Sequence, residues 1–280
     1  MADKVKLAIM YDFDKTLCTK DMQEYSFIPK VNMSVDDFWA KATKLAKENK
    51  MDRILAYMYL MIKEARHEEI SITRNDFVDL GKDLEFYEGV ESWFKRIDAY
   101  AKANGVVIEH YIISSGLKEI IEGASIYENF QDVFACEFFY DGSGVACWPK
   151  NVVNYTTKTQ FLFRINKGVL DLSNDDDLNK YTATNERNIP FRNMIYIGDG
   201  LTDVPCMKLV KINGGISIAV YKKRRTKIVK DLLCDNRVNY LEKADYTEDS
   251  ELEKLVKDII LNMKGKDLLE KEQAKQLKSL

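Results

Sequence analysis

A chain of 280 residues is long enough to bury a sizeable core in one or two domains. With 46% hydrophobic and 31% charged residues it has the composition of an ordinary globular protein, which excludes an intrinsically disordered chain. The 42 basic and 45 acidic residues nearly cancel, to a formal net charge of −3, so nothing in the balance favours a nucleic acid partner.

In chain order, the stretch from Met1 to Lys6 lacks the apolar region and small-residue cleavage site of a secretory signal. No later apolar run approaches the roughly 18 residues of a membrane span. A cytoplasmic protein with no membrane partner is expected. The five cysteines, Cys18, Cys136, Cys147, Cys206 and Cys234, are scattered and never form a C-x-x-C pair, so they read as reduced thiols, with Cys18 and Cys206 as small buried filler.

Val5 to Met10 is a short, mostly apolar run followed at once by Asp-Phe-Asp, the pattern of a buried strand that ends in polar residues. It recurs twice. Val106 to Ile113 runs into Ser114-Ser115-Gly116, and Met194 to Ile197 runs into Gly198-Asp199-Gly200. Helical patterns follow the second and third, over Leu117 to Ile121 and Val204 to Val210. Strand, polar turn and helix repeated in this way predict an α/β fold with a parallel sheet, in which ligands bind beyond the carboxyl ends of the strands.

Between the first two units, residues 19–86 carry apolar residues at helical spacing without strand signals, through Asp36 to Lys50 and Arg53 to Arg66, with Thr73 placed as an N-cap for Asp76 to Leu84. This segment reads as an all-helical insertion, its Tyr57, Met58, Tyr59 and Met61 as packing. A helix from Glu91 to Ala103 returns the chain to the sheet. Further on come a hairpin signal in Phe134 to Val145 around Asp141-Gly142-Ser143-Gly144, a solvated polar loop over Asp171 to Asn188, and a helix from Leu252 to Met263. The tail from Lys264 reads as a charged amphipathic helix or frayed end.

Asp12-Phe13-Asp14 places two carboxylates on one side of an extended segment, because side chains alternate along a strand. Acidic pairs at strand ends also cap turns. Asp199 and Asp203, in Gly198-Asp199-Gly200-Leu201-Thr202-Asp203, stand at another strand end, where they can meet the first pair. Clustered carboxylates repel unless a cation neutralises them, and Mg²⁺ prefers hard oxygen ligands. Asp203 can equally serve as an N-cap. Ser114, Ser115 and Gly116 end a strand and open a helix, which suits a phosphoryl oxygen or a plain Ser cap. Lys158 lies where a loop enters the helix Gln160 to Ile165, available to offset negative charge or simply solvated.

Taken in order, D-x-D-x-T, then Ser, then Lys, then G-D-x-x-x-D resemble the four motifs of the haloacid dehalogenase superfamily, over Val5 to about Ala219. The helical insertion and the hairpin resemble the phosphoserine phosphatase-like branch with a type-I helical cap. The resemblance implies a Rossmann-like core over 1–18 and 87–280, a helical cap over 19–86, and Mg²⁺-dependent hydrolysis of a small phosphorylated metabolite. It implies Asp12 as the nucleophile that becomes phosphorylated, Asp14 as acid and base, and Ser114 and Lys158 on the phosphoryl oxygens. Mg²⁺ would be held by the Asp12 carboxylate, the Asp14 main-chain carbonyl and Asp199, with Asp203 in support and Thr16 ordering the turn. Asp14 also points to phosphate chemistry, because dehalogenase members lack that carboxylate. In phosphoserine phosphatases a Glu nine positions after the first Asp binds the substrate's amino group; here that position is Asp21, a candidate for the same contact, and Lys15 stands where a Ser is usual. Arg53, Arg66 and Arg74 are candidates for a substrate anion. A phosphotransferase or mutase using the same phosphoenzyme, or a non-catalytic phospho-Asp switch, would share these motifs.

Overall fold

The run at the start of the chain forms strand β1 (Val5–Tyr11), in which every residue but Lys6 is buried, as a strand covered on both faces must be. In the computed structural model, which describes residues 5–183, 186–224 and 226–279, six further strands join it: β2 (Val106–Leu117), β3 (Asp132–Tyr140), β4 (Ala146–Asn151), β5 (Met194–Gly198), β6 (Ile216–Tyr221) and β7 (Tyr240–Lys243). Residues 1–4, and residues 184 and 185 of the polar loop, lie outside the described residues. The order across the sheet is β4-β3-β2-β1-β5-β6-β7. All pairings are parallel except β3 with β4, the hairpin expected around Asp141.

Register decides where the site lies. Tyr11, the last residue of β1, is level with Ile112 of β2 on one side and Ile197 of β5 on the other. The residues that follow each therefore emerge side by side: Asp12, the serine pair, and Asp199. This is the crevice at the carboxyl ends of central strands, where parallel sheets bind ligands.

The insertion contains α1 (Phe27–Lys30), α2 (Val35–Asn49), α3 (Arg53–His67) and α4 (Arg74–Leu80). Ser34, Asp52 and Thr73 cap the last three, each accepting a main-chain N–H of the first turn. The chain leaves and rejoins the core at one place, where Thr19 N–H donates to Glu85 O and Tyr87 N–H to Leu17 O, both at 2.9 Å.

After the insertion follow α5 (Val90–Ala103), α6 (Lys118–Glu122), α7 (Lys158–Lys167), α8 (Asp175–Asn179), α9 (Val204–Ile212), α10 (Lys227–Cys234) and α11 (Glu251–Lys278). Buried Glu253 of α11 accepts from Arg96 of α5 at 2.9 Å, tying these two helices together. The acidic triplet expected in a solvated loop forms the first turn of α8, where three carboxylates face a helix N-terminus and Asp175 pairs with Arg164. One expectation needs correction: the second strand does not stop before Ser114 but runs to Leu117. The charged tail from Lys264 is helical, continuing α11, whose buried positions reach Asp267.

Candidate active site

A cavity of about 430 Å³ opens above the carboxyl ends of β1 and β5, floored by Asp12, Asp14, Lys158 and Asp199, and walled by Gln23, Trp39, Arg53 and Tyr57 of the insertion. Alternation beyond β1 has the expected effect: Asp12 and Asp14 both line the cavity, while Phe13 between them is buried in the core against Phe86. The turn that follows is closed by the main chain, with Thr16, Leu17 and Cys18 N–H groups all directed at Phe13 O. Thr16 contributes through its backbone, its buried Oγ1 having no partner.

Lys158, in the first turn of α7, is 1% exposed and donates to Asp12 Oδ1 and Asp203 Oδ1, each at 2.7 Å. Burial alone would lower its pKa, but the two carboxylates outweigh burial and raise it, so it carries a fixed positive charge. Asp203 also accepts from Tyr196 Oη at 2.8 Å. Its carboxylate is thus committed to the site and does not cap α9. Gly198 is required by this arrangement, since a Cβ there would stand 2.6 Å from Asp203 Oδ2.

Asp12, Asp199 and Asp203 can bring one carboxylate oxygen each within 4.8 Å of one another. Burial first, then Asp203, pushes the Asp12 pKa up to about 7 against the pull of Lys158. Burial, then Asp12 and Asp203, push Asp199 well above the usual carboxylate range. One lysine does not balance the three carboxylates, Asp12 and Asp203 buried and Asp199 half-buried, and a further cation among their oxygens would.

Asp14 is in different company. Its Oδ1 accepts from the Met22 main-chain N–H of the insertion at 2.8 Å. Burial, Asp21 and Asp12 raise its pKa well above the ordinary value. Met22 also fills the space over Gly116, where a Cβ would lie 2.1 Å from Met22 Cε and 3.1 Å from Asp14 Oδ2.

The serine turn departs from expectation. Ser115 lines the cavity with a buried Oγ that has no partner, whereas Ser114 is buried beneath it and accepts from Gly116 N–H at 3.0 Å. Because β2 continues to Leu117, these residues bulge from the strand ladder, and α6 begins only at Lys118, off the cavity wall. Asp21 is on the wall, yet its Oδ2 is already taken by Lys15 Nζ at 2.5 Å. Of the three arginines, only Arg53 lines the cavity; Arg74 pairs with Glu122 on the outside, and Arg66 is exposed elsewhere. Tyr57 packs as expected and also lines the cavity, donating to Ser115 O at 2.6 Å. Sequence reasoning missed Met22, Gln23, Trp39, Tyr155 and Tyr196. The aromatic and helical spacing of the insertion was the one available signal, for Trp39.

The family model for haloacid dehalogenase-like hydrolases matches residues 9–208, a span holding every side chain of the floor. The chain belongs to the haloacid dehalogenase-like hydrolase family. An uncharacterized protein of Borreliella burgdorferi is 29% identical to it, covering 88% of this chain and 93% of that protein. Among solved structures, a HAD family hydrolase of Salmonella enterica serovar Typhi superposes with a TM-score of 0.56 at 18% identity, over 86% of this chain and 68% of that one. A substrate-bound phosphoserine phosphatase also gives 0.56 at 18% identity, over 87% and 96%. A phospho-aspartyl intermediate analogue of phosphoserine phosphatase gives 0.53 at 17%, over 91% and 99%. These structures share the fold of this HAD hydrolase. In the described residues, no helix is long and apolar enough to cross a membrane.

Proposed function

We propose that this HAD hydrolase is a Mg²⁺-dependent phosphatase that cleaves small phosphate monoesters through a phosphorylated Asp12. The observation that carries the reading is the contrast between two carboxyl groups that open into one cavity. Asp12 is bonded to Lys158 within a carboxylate cluster, whereas Asp14 is held apart by Met22 N–H in surroundings that favour its protonated form.

In the first step a carboxylate oxygen of Asp12 bonds to phosphorus as the bond from phosphorus to the ester oxygen breaks, and Asp14 gives its proton to the departing oxygen. In the second, Asp14 takes a proton from the water that attacks the phosphorylated Asp12, releasing phosphate and restoring the carboxylate. Lys158 and the Ser115 hydroxyl meet the phosphoryl oxygens, with Ser114 shaping the turn beneath and its own hydroxyl proton still free to donate. Asp203 and Tyr196 keep Lys158 in place.

The donor set fits a hard divalent cation: the clustered carboxylates of Asp12, Asp199 and Asp203 carry two negative charges more than Lys158 offsets, and the Asp14 main-chain carbonyl would join Asp12 and Asp199 in holding the ion. When bound, Mg²⁺ supplies charge neutralisation for carboxylates and phosphoryl group alike. Residues 19–86 act as the cap that closes the cavity, since Gln23, Trp39, Arg53 and Tyr57 reach its wall from there.

The test is release of inorganic phosphate from an aryl phosphate with and without Mg²⁺. Asp12→Asn should reduce the metal-dependent rate to background. Undiminished turnover in that variant would overturn the mechanism, and phosphoryl transfer to an added alcohol with no free phosphate would make the enzyme a transferase.

A further inference from the structure

Beyond the reaction centre, the cavity wall presents one carboxylate, Asp21, and that carboxylate is engaged by the chain's own ammonium group: Lys15 Nζ lies 2.5 Å from Asp21 Oδ2. Lys15 is set there by its backbone, which takes a left-handed φ of 57° in the turn closed on Phe13 O. Arg53, also on the wall, makes no ion pair among the described residues. Lys15 and Arg53 bring two positive charges to this part of the wall against the one negative charge of Asp21, with Asp14 and Asp199 facing Lys15 from the floor. Glu24 stands behind Asp21 and off the wall; burial and Asp21 push its pKa upward, while Lys15 and the Trp39 indole pull it back.

Gln23 Oε1 of the same wall, a buried acceptor, lacks a partner at hydrogen-bond distance, while the Trp39 indole N–H is directed toward Glu24. A substrate hydroxyl can donate to Gln23 Oε1. We propose, on the phosphatase reading above, that Lys15 occupies the enzyme's own ammonium position and so selects phosphomonoesters whose leaving group carries hydroxyls and no amino group. An exposed ion pair such as Lys15–Asp21 is weak in itself. Its effect on selection comes from like-charge repulsion, because an ammonium drawn to Asp21 must approach Lys15.

The matched probes are 2-hydroxyethyl phosphate and phosphoethanolamine, which differ by hydroxyl against ammonium. Each is measured as a substrate and as a competitor of aryl phosphate hydrolysis, so that slow turnover does not hide binding. The wild type should favour the hydroxyl compound by roughly fivefold, the upper end for a charge contact at a partly exposed group. Lys15→Ser should abolish that preference by improving phosphoethanolamine, and Asp21→Asn added to Lys15→Ser should remove the improvement. Lys15→Ala guards against an effect peculiar to serine. Equal inhibition of the wild type by both compounds, or a ratio unmoved in both Lys15 variants, would overturn the proposal while aryl phosphate hydrolysis leaves the phosphatase reading intact. Failure of the wild type to hydrolyse aryl phosphate would instead count against that reading, with the inhibitor ratio no longer in play.

Discussion

At the scale of single residues, the site rests on a few contacts with no slack. Gly198 is the clearest case, since an added Cβ would lie 2.6 Å from Asp203 Oδ2 and 2.7 Å from its Cγ. The carboxylate cannot retreat without loosening Lys158 and Tyr196, both bonded to Oδ1. Lys158 would then lose one of the two anchors that hold it against Asp12. Gly198→Ala should therefore lower the rate of phosphate release by roughly 100-fold, the cost of misplacing a catalytic group by about 1 Å. Destabilisation should be only about 1–3 kcal/mol, typical of local overpacking. Gly142→Ala, where a Cβ meets nothing within 4 Å, is the control for kinetics and for urea unfolding. A Gly198→Ala rate within twofold of wild type would show that Asp203 does not position Lys158. The residues of this contact set differ in how far they could be read beforehand. Asp12, Lys158, Asp199 and Asp203 are charged groups at strand or helix ends, and their order along the chain is informative. Tyr196 is an aromatic residue inside an apolar strand, and Met22 reaches Leu117 across 95 positions; neither pattern marks a hydrogen bond to come.

At the scale of elements, periodicity identified the strands that carry the site and the helices of the insertion, because each has a buried face or a capping residue. It missed β6 and β7, which end in no recognisable chemical motif, and β7 is only four residues long. The Thr73 cap was readable and is more elaborate than a single bond. Thr73 Oγ1 accepts from Asp76 N–H at 3.3 Å, and Asp76 Oδ2 accepts from Thr73 N–H at 2.8 Å and from the Ser71 hydroxyl at 2.6 Å. The hydroxyls of Ser71 and Thr73 hold the Asp76 pKa below its ordinary value. A group depressed in the folded state stabilises above its unfolded pKa, and the contribution disappears as pH falls through the folded value. Asp76→Ala should thus cost about 1 kcal/mol at neutral pH, the usual worth of a capping interaction. Its urea midpoint should converge on that of the wild type in acid. A difference that stays constant from neutral pH down to about pH 3, well below the ordinary carboxylate value, would rule out the ionised capping box as the source.

At the scale of the whole molecule, the α/β architecture follows from three repeats of strand, polar turn and helix. The strand order does not, because nothing local says that β1 lies between β2 and β5. That order brings together groups as distant in the chain as Asp12, Lys158 and Asp199, so the cluster exists only in the folded chain. Its electrostatics then bear on global stability. Burial and mutual repulsion push Asp12 and Asp199 upward, so a cation that relieves them binds the folded state and not the unfolded one. Mg²⁺ at 100 times its dissociation constant should add about 2.7 kcal/mol. For a chain of this size that corresponds to a rise in Tm of roughly 5–10 °C. Asp199→Asn should lose most of the metal-induced rise. Without metal it should melt at or above the wild type, because one repelling charge has gone. Calcium in place of magnesium offers a second reading independent of turnover, as its longer oxygen distances suit a small rigid carboxylate site less well and should give a smaller rise. A Tm that ignores millimolar Mg²⁺ in the wild type, or rises equally in Asp199→Asn, would remove Asp199 from the cation site and leave the carboxylate cluster balanced by Lys158 and bound protons alone.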